Sequence, residues 1–141
     1  MTIAIMGAMA EEVDALVDAM DVAERGRAGG RDWWRGELRG QDVVVVFSHW
    51  GKVAAASTAT WLIATHAPSA LLFTGVAGAL DPALSVGDVI VADVTWQHDM
   101  DERPLIARHE IPLLGRAAVR TDAAMTRALA AAAESFLGNA S

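Results

Sequence analysis

The stretch TIAIMGAMAEEVDAL, residues 2–16, decides how this chain folds. Thr2 to Met6 is a short apolar run closed by Gly7, the pattern of a strand buried on both faces. From Ala10 the period lengthens: Val13, Leu16, Val17 and Met20 recur at the spacing of one helical stripe, with Glu11, Glu12 and Asp14 near the helix's positive end. Strand, glycine turn, helix is the resulting unit. It leaves two adjacent carboxylates beside the carboxyl end of a buried strand, the edge where open α/β sheets gather their ligands.

Further along, strand and helix patterns keep alternating. RDWWRGEL (31–38) and QDVVVVFS (41–48), separated by Arg39 and Gly40, read as a hairpin, so the sheet is expected to be mixed. The alanine-rich KVAAASTATWLIATH (52–66) reads as a helix ending before Pro68. ALLFTGVAGAL (70–80) is expected to be a buried strand running into glycines, and VGDVIVADV (86–94) another strand after a turn at Asp81 and Pro82. From Gln97 to Arg120 the pattern is irregular and reads as an extended excursion. Thr121 and Asp122 offer an N-cap to a helix carrying Met125, Leu129, Ala132 and Phe136 on one face, with Gly138 as its stop. One domain over residues 1–141 is the expectation.

Composition narrows the function. A hydrophobic fraction of 53% with 21% charged residues describes a globular chain rather than a disordered one. The net charge of -7 disfavours nucleic acid as a partner, because backbone binding depends on clustered cations. There is no cysteine, hence no disulfide or thiolate metal site, which fits a reducing compartment. No apolar run approaches the length needed to cross a bilayer, so no membrane partner is expected and a cytoplasmic location is the default.

Each chemical motif has a bland explanation beside it. Acidic residues in a first helical turn interact favourably with the helix dipole, by roughly 0.3 to 1 kcal/mol, and this alone accounts for Glu11 and Glu12. Being adjacent, the two point roughly 100° apart, so at most one faces a cleft. Gly75 and Gly78 in FTGVAGAL either form a tight turn or let backbone approach a ligand. That loop lacks the dinucleotide fingerprint, and HWGKVAAAS (49–57) lacks the features of a P-loop. His98, Asp99 and Asp101 read as solvated loop residues rather than metal ligands, and no nucleophile elbow is present. Trp61 reads as core, Trp33 and Trp34 as facing opposite sides of a strand, and Trp50 as a candidate pocket wall.

Taken in order, IMGAMAEEV, SHWGKVAAAS, FTGVAGAL, VGDVIVAD and HDMD resemble the 5'-methylthioadenosine/S-adenosylhomocysteine nucleosidases of the nucleoside phosphorylase/hydrolase family, over about the first hundred residues. The resemblance implies a three-layer α/β/α fold with a mixed central sheet. It implies hydrolysis of the N-glycosidic bond of these nucleosides, releasing adenine, without metal or cofactor. Such cleavage passes through an oxocarbenium-like state, so the site needs a base for water and an acid for the purine. The resemblance assigns the base to Glu12, leaving Glu11 a solvated helix-end residue. It assigns the substrate pocket to Ala8, Met9, Trp50, Val76, Ala77 and Gly78, and to Leu105 and Ile106 across a homodimer interface.

Related phosphorylases hold phosphate with arginines, whereas this chain has Glu11 and Glu12 at one such position and Phe73 at another. Water is therefore the expected nucleophile. Two departures from the family stand out. Val76 replaces a serine of the glycine loop, and the chain is expected to lack the family's later strands, its Met-Glu motif and its purine-directed aspartate. An unpaired sheet edge and a missing pocket wall follow from that expectation. The alternatives to an active nucleosidase are a non-catalytic nucleoside-binding or assembly fragment, or a related purine-nucleoside hydrolase.

Overall fold

A computed structural model describes residues 1–138. The chain divides into two compact units, Met1–Gly78 and Ala79–Ser141. In the first, strand β1 (Ile3–Gly7) leads into helix α1 (Ala10–Asp18), followed by β2 (Asp21–Ala28), β3 (Arg31–Leu38), β4 (Gln41–Phe47), helix α2 (Lys52–His66) and β5 (Ala70–Phe73). The sheet order is β2-β3-β4-β1-β5. β1 runs parallel to both β4 and β5, while β2, β3 and β4 are linked antiparallel, so the sheet is mixed as expected.

Period-two alternation distributes the apolar residues of β1 and β4 between two cores. Ala4, Met6, Val44 and Val46 meet Leu62 of α2, with Trp33, Ala55, Ala59 and Trp61 packed around them. On the other face Ile5, Val43 and Val45 meet Val13 of α1 and Met20, with Leu16 and Val17 alongside. A helix on each face makes three layers, and Met20 joins the stripe although α1 ends at Asp18.

The hairpin turn at Arg39 and Gly40 has φ of 51° and 81°, the left-handed pair that a two-residue connection needs. β2 has no counterpart among the sequence expectations. Its residues DVAERGRA are charged and mostly exposed, as suits an edge strand that must not recruit another chain. A register shift between Val22 and Glu24 brings the backbone of β2 against Gly36, where an added Cβ would lie 2.1 Å from the carbonyl oxygen of Asp21. Gly36→Ala should therefore push β2 off β3. The expected loss is about 1 to 3 kcal/mol in urea unfolding, with accelerated amide exchange confined to β2.

His66, the last residue of α2, packs against Trp33 and Trp61 with ring centroids 5.4 Å and 5.1 Å away. Its Nε2 is buried without a hydrogen-bond partner among the described residues. Burial first, and then the positive charge of Arg35, hold its pKa below the ordinary 6.5, against the opposing pull of Glu24 and Asp42. The unfolded chain thus binds this proton more readily than the folded one. Stability should be complete above pH 6.5 and fall as pH drops from there through the depressed folded value. Urea midpoints measured on either side of that value should show the drop, and His66→Gln should flatten it.

β5 departs from expectation. It pairs only with β1, and its side chains alternate between half-buried and exposed, because among the described residues it forms the sheet edge. In the second unit the expected strand 86–94 does not form: Val86, Val89 and Ile90 are exposed and, among the described residues, no neighbouring strand accepts their ladder bonds. Instead β6 (Val94–Trp96) pairs antiparallel with β7 (Ala118–Arg120), and helix α3 (Ala123–Gly138) follows. Asp122 caps α3 as expected, its Oδ1 accepting from the N–H groups of Ala124 and Met125 at 3.0 and 2.9 Å. The apolar stripe of α3 is largely uncovered, with Leu129 and Phe136 exposed. No described helix is long and apolar enough to cross a membrane.

Candidate active site

The carboxyl ends of the parallel strands β1, β4 and β5 share one edge of the first unit's sheet. Backbone bonds brace them there: the N–H of Ser48 donates to Gly7 O at 2.8 Å, and that of Thr74 to Met6 O at 2.9 Å. Arg31 ties in the loop after β4, donating to Ser48 O, to Gly29 O and to Ser57 Oγ. The three loops leaving this edge carry Ala8 and Met9, Trp50, and Gly75 to Gly78.

Glu12, half-buried at the third position of α1, gathers two of these loops around its carboxylate. Oε2 accepts from the backbone N–H of Ala8 at 2.6 Å and of Met9 at 2.9 Å. Oε1 accepts from the N–H of Val76 at 3.0 Å, across 64 residues of sequence. Local chemistry explains the first pair, since a glutamate three residues into a helix reaches back to the unbonded N–H groups at its start. The third donor is tertiary. It exists because β5 runs parallel to β1 and delivers its loop beside α1.

Burial pushes the Glu12 carboxyl up, but the N–H donors of Val76, Met9 and Ala8 outweigh it and hold the pKa below the ordinary 4.5. The group is an anion at neutral pH. A carboxylate oxygen offers two acceptor positions, so among the described residues Oε2 is saturated by protein and Oε1 has one position without a donor. Glu11, one residue earlier, is exposed.

Of the residues expected at the site, Ala8, Met9, Val76 and Glu12 are thus joined by hydrogen bonds. Val76 takes part through its backbone N–H, the residue as a whole being 78% exposed. The three donors to Glu12 are backbone N–H groups, present whatever the side chain at position 76. Ala77 and Gly78 follow in the same exposed loop, and Trp50, 76% exposed, stands beyond the end of the neighbouring strand β4. Gly75, read from the sequence only as a turn or a ligand approach, is packed against the Glu12 carboxylate. Leu105 and Ile106 belong to the second unit, in a turn whose N–H groups donate to Glu102 O. Nearby, Asp101 binds Arg103 through both oxygens at 2.8 and 2.6 Å, and that contact draws its pKa down to about 2. Among the described residues no cluster of three or more His, Cys, Asp or Glu side chains is placed to hold a metal ion.

The sequence profile described as "Phosphorylase superfamily" matches residues 2–138. The chain belongs to this superfamily. Within it, a curated 5'-methylthioadenosine/S-adenosylhomocysteine nucleosidase from Tolumonas auensis is 42% identical over 101 residues, covering 72% of this chain and 44% of that protein. The crystal structure of the Neisseria meningitidis nucleosidase of the same name, in complex with methylthio-immucillin-A, is similar with TM-score 0.91 and 33% identity, over 96% of this chain and 58% of that one. A futalosine hydrolase mutant from Helicobacter pylori is similar with TM-score 0.83 and 30% identity, over 89% of this chain and 58% of that one. The superfamily fold is therefore shared, and the chain spans about half the length of the relatives it matches.

Proposed function

We propose that the chain acts in the hydrolysis of the N-glycosidic bond of 5'-methylthioadenosine and S-adenosylhomocysteine, with Glu12 as the general base and adenine as the released purine. The observation that carries this reading is the Glu12 carboxylate, ionised and fixed by three backbone N–H groups, with one acceptor position remaining on Oε1. As the bond between the anomeric carbon and the purine nitrogen lengthens, its electron pair leaves with the purine and positive charge grows on the sugar. A water held at Oε1 attacks that carbon and gives its proton to Glu12. A carboxylate with a lowered pKa is a weak base. It suffices here because the electrophile is close to a carbocation, and the same negative charge stabilises it. The departing purine needs its proton from another group.

In this reading Ala8, Met9, Trp50, Val76, Ala77 and Gly78 border the nucleoside, and residues 1–141 work as one nucleosidase-like domain in the cytoplasm. The active form is a homodimer in which Leu105 and Ile106 help close the partner's pocket, and neither nucleic acid nor membrane takes part. Phosphate is a poor alternative nucleophile beside the Glu12 charge, and Phe73 at the end of β5 offers it no donor. The likeness to a futalosine hydrolase favours, as a second reading, another nucleoside with a different sugar or purine substituent. Incubation with methylthioadenosine, S-adenosylhomocysteine and futalosine in parallel, with chromatography of the released bases, tests both. Preferential adenine release supports the first reading. Release from futalosine alone supports the second, and release from none supports a non-catalytic nucleoside-binding or assembly fragment.

A further inference from the structure

We infer that Gly75 is a positioning residue for Glu12: the absence of a side chain there is what lets the carboxylate reach the Val76 N–H. A Cβ built on Gly75 would lie 2.9 Å from Glu12 Oε1 and 3.1 Å from both Cδ and Oε2, closer than carbon packs against a carboxylate. Backbone conformation does not demand glycine at this position, since Gly75 is not among the residues with positive φ. An alanine would meet no backbone strain, and its nearest obstacle is the end of a flexible side chain that can rotate away. The variant should fold with Glu12 displaced. Gly7 differs in degree: a Cβ there would meet Val13 Cγ1 first, at 2.6 Å inside the core, and Glu12 Cβ and Oε2 at 3.2 and 3.4 Å, so alanine at 7 disrupts core packing before it touches the carboxylate.

Only the catalytic consequence rests on the proposed role of Glu12 as base; the positional claim is separate. The test compares the chain with Gly75→Ala by carbon-13 carboxyl titration of Glu12 and by the amide signal of Val76. Losing one charge-assisted N–H donor should raise the Glu12 midpoint by about one pH unit and speed Val76 amide exchange. Adenine release should fall about a hundredfold, chiefly in kcat. A second measurement is independent of turnover: alanine at 75 should lower the urea midpoint when Glu12 is present and leave it unchanged in a Glu12→Ala background. If the Glu12 midpoint and the Val76 amide stay put, or if alanine costs the same in both backgrounds, Gly75 does not position Glu12. If both signals move while release is unaffected, the positional claim is upheld and the assignment of Glu12 as base fails.

Discussion

Glu12→Gln should lower adenine release by a factor of about 10² to 10⁴, the range expected when a general base is removed. Glutamine keeps the length of the side chain but cannot take a proton, and its NH₂ group cannot accept a hydrogen bond. Oriented toward Ala8 and Met9, its oxygen would abandon Val76; oriented toward Val76, it would abandon the other two. The variant thus loses both the negative charge and part of the grip on its side chain. Nucleoside affinity, measured by calorimetry, should change far less than turnover, because the charge acts on a cation that exists only near the transition state. The wild-type rate should also hold on acidification past the ordinary carboxylate value of 4.5 before it declines, since the folded pKa lies lower. Equal release by chain and variant would remove Glu12 from the mechanism. A rate that declines well above that value would assign the acid limb to a different group.

The largest stability effect is expected at Leu62. This side chain is fully buried where α2 crosses the sheet, against Ala4, Met6, Val44 and Val46. Leu62→Ala removes its terminal carbons from a packed environment and should cost about 2 to 5 kcal/mol, the spread depending on how far the neighbours relax. Against a total of roughly 5 to 15 kcal/mol for a domain, such a loss moves the urea midpoint substantially. The neighbouring Ile63, 60% exposed, provides the control. Ile63→Ala should fall within about 0.5 kcal/mol of the parent. Similar losses at both positions would mean that α2 does not rest on the sheet through the face containing Leu62.

Much of the first unit was legible because its elements carry their own period. β1 and the β3-β4 hairpin combine an apolar pattern with a turn signal, Gly7 or Arg39-Gly40; α1 shows a helical stripe, and α2 is marked by its alanines and the following Pro68. β2 was not, since an edge strand made of charges has no apolar rhythm to read. The sign that could have found it is Gly29-Gly30, a two-residue turn dipeptide at the far end of a hairpin. The opposite error befell 86–94, whose valines have the composition of a strand but no partner to bond among the described residues. At the site, the choice of Glu12 over Glu11 came from family resemblance, because sequence spacing says only that at most one of the two faces a cleft. What no spacing reveals is the contact from Val76, which depends on two parallel strands ending side by side.

Among the described residues, every donor that grips Glu12 belongs to the main chain. Proline is the only residue type at positions 8, 9 and 76 that would delete one of those donors. The side chains there are consequently open to drift without loss of the donors that hold Glu12, and under the proposed function they are the walls around the nucleoside. If Glu12 is the base proposed above, such a site can change its preferred nucleoside by ordinary point mutation while the carboxylate stays fixed.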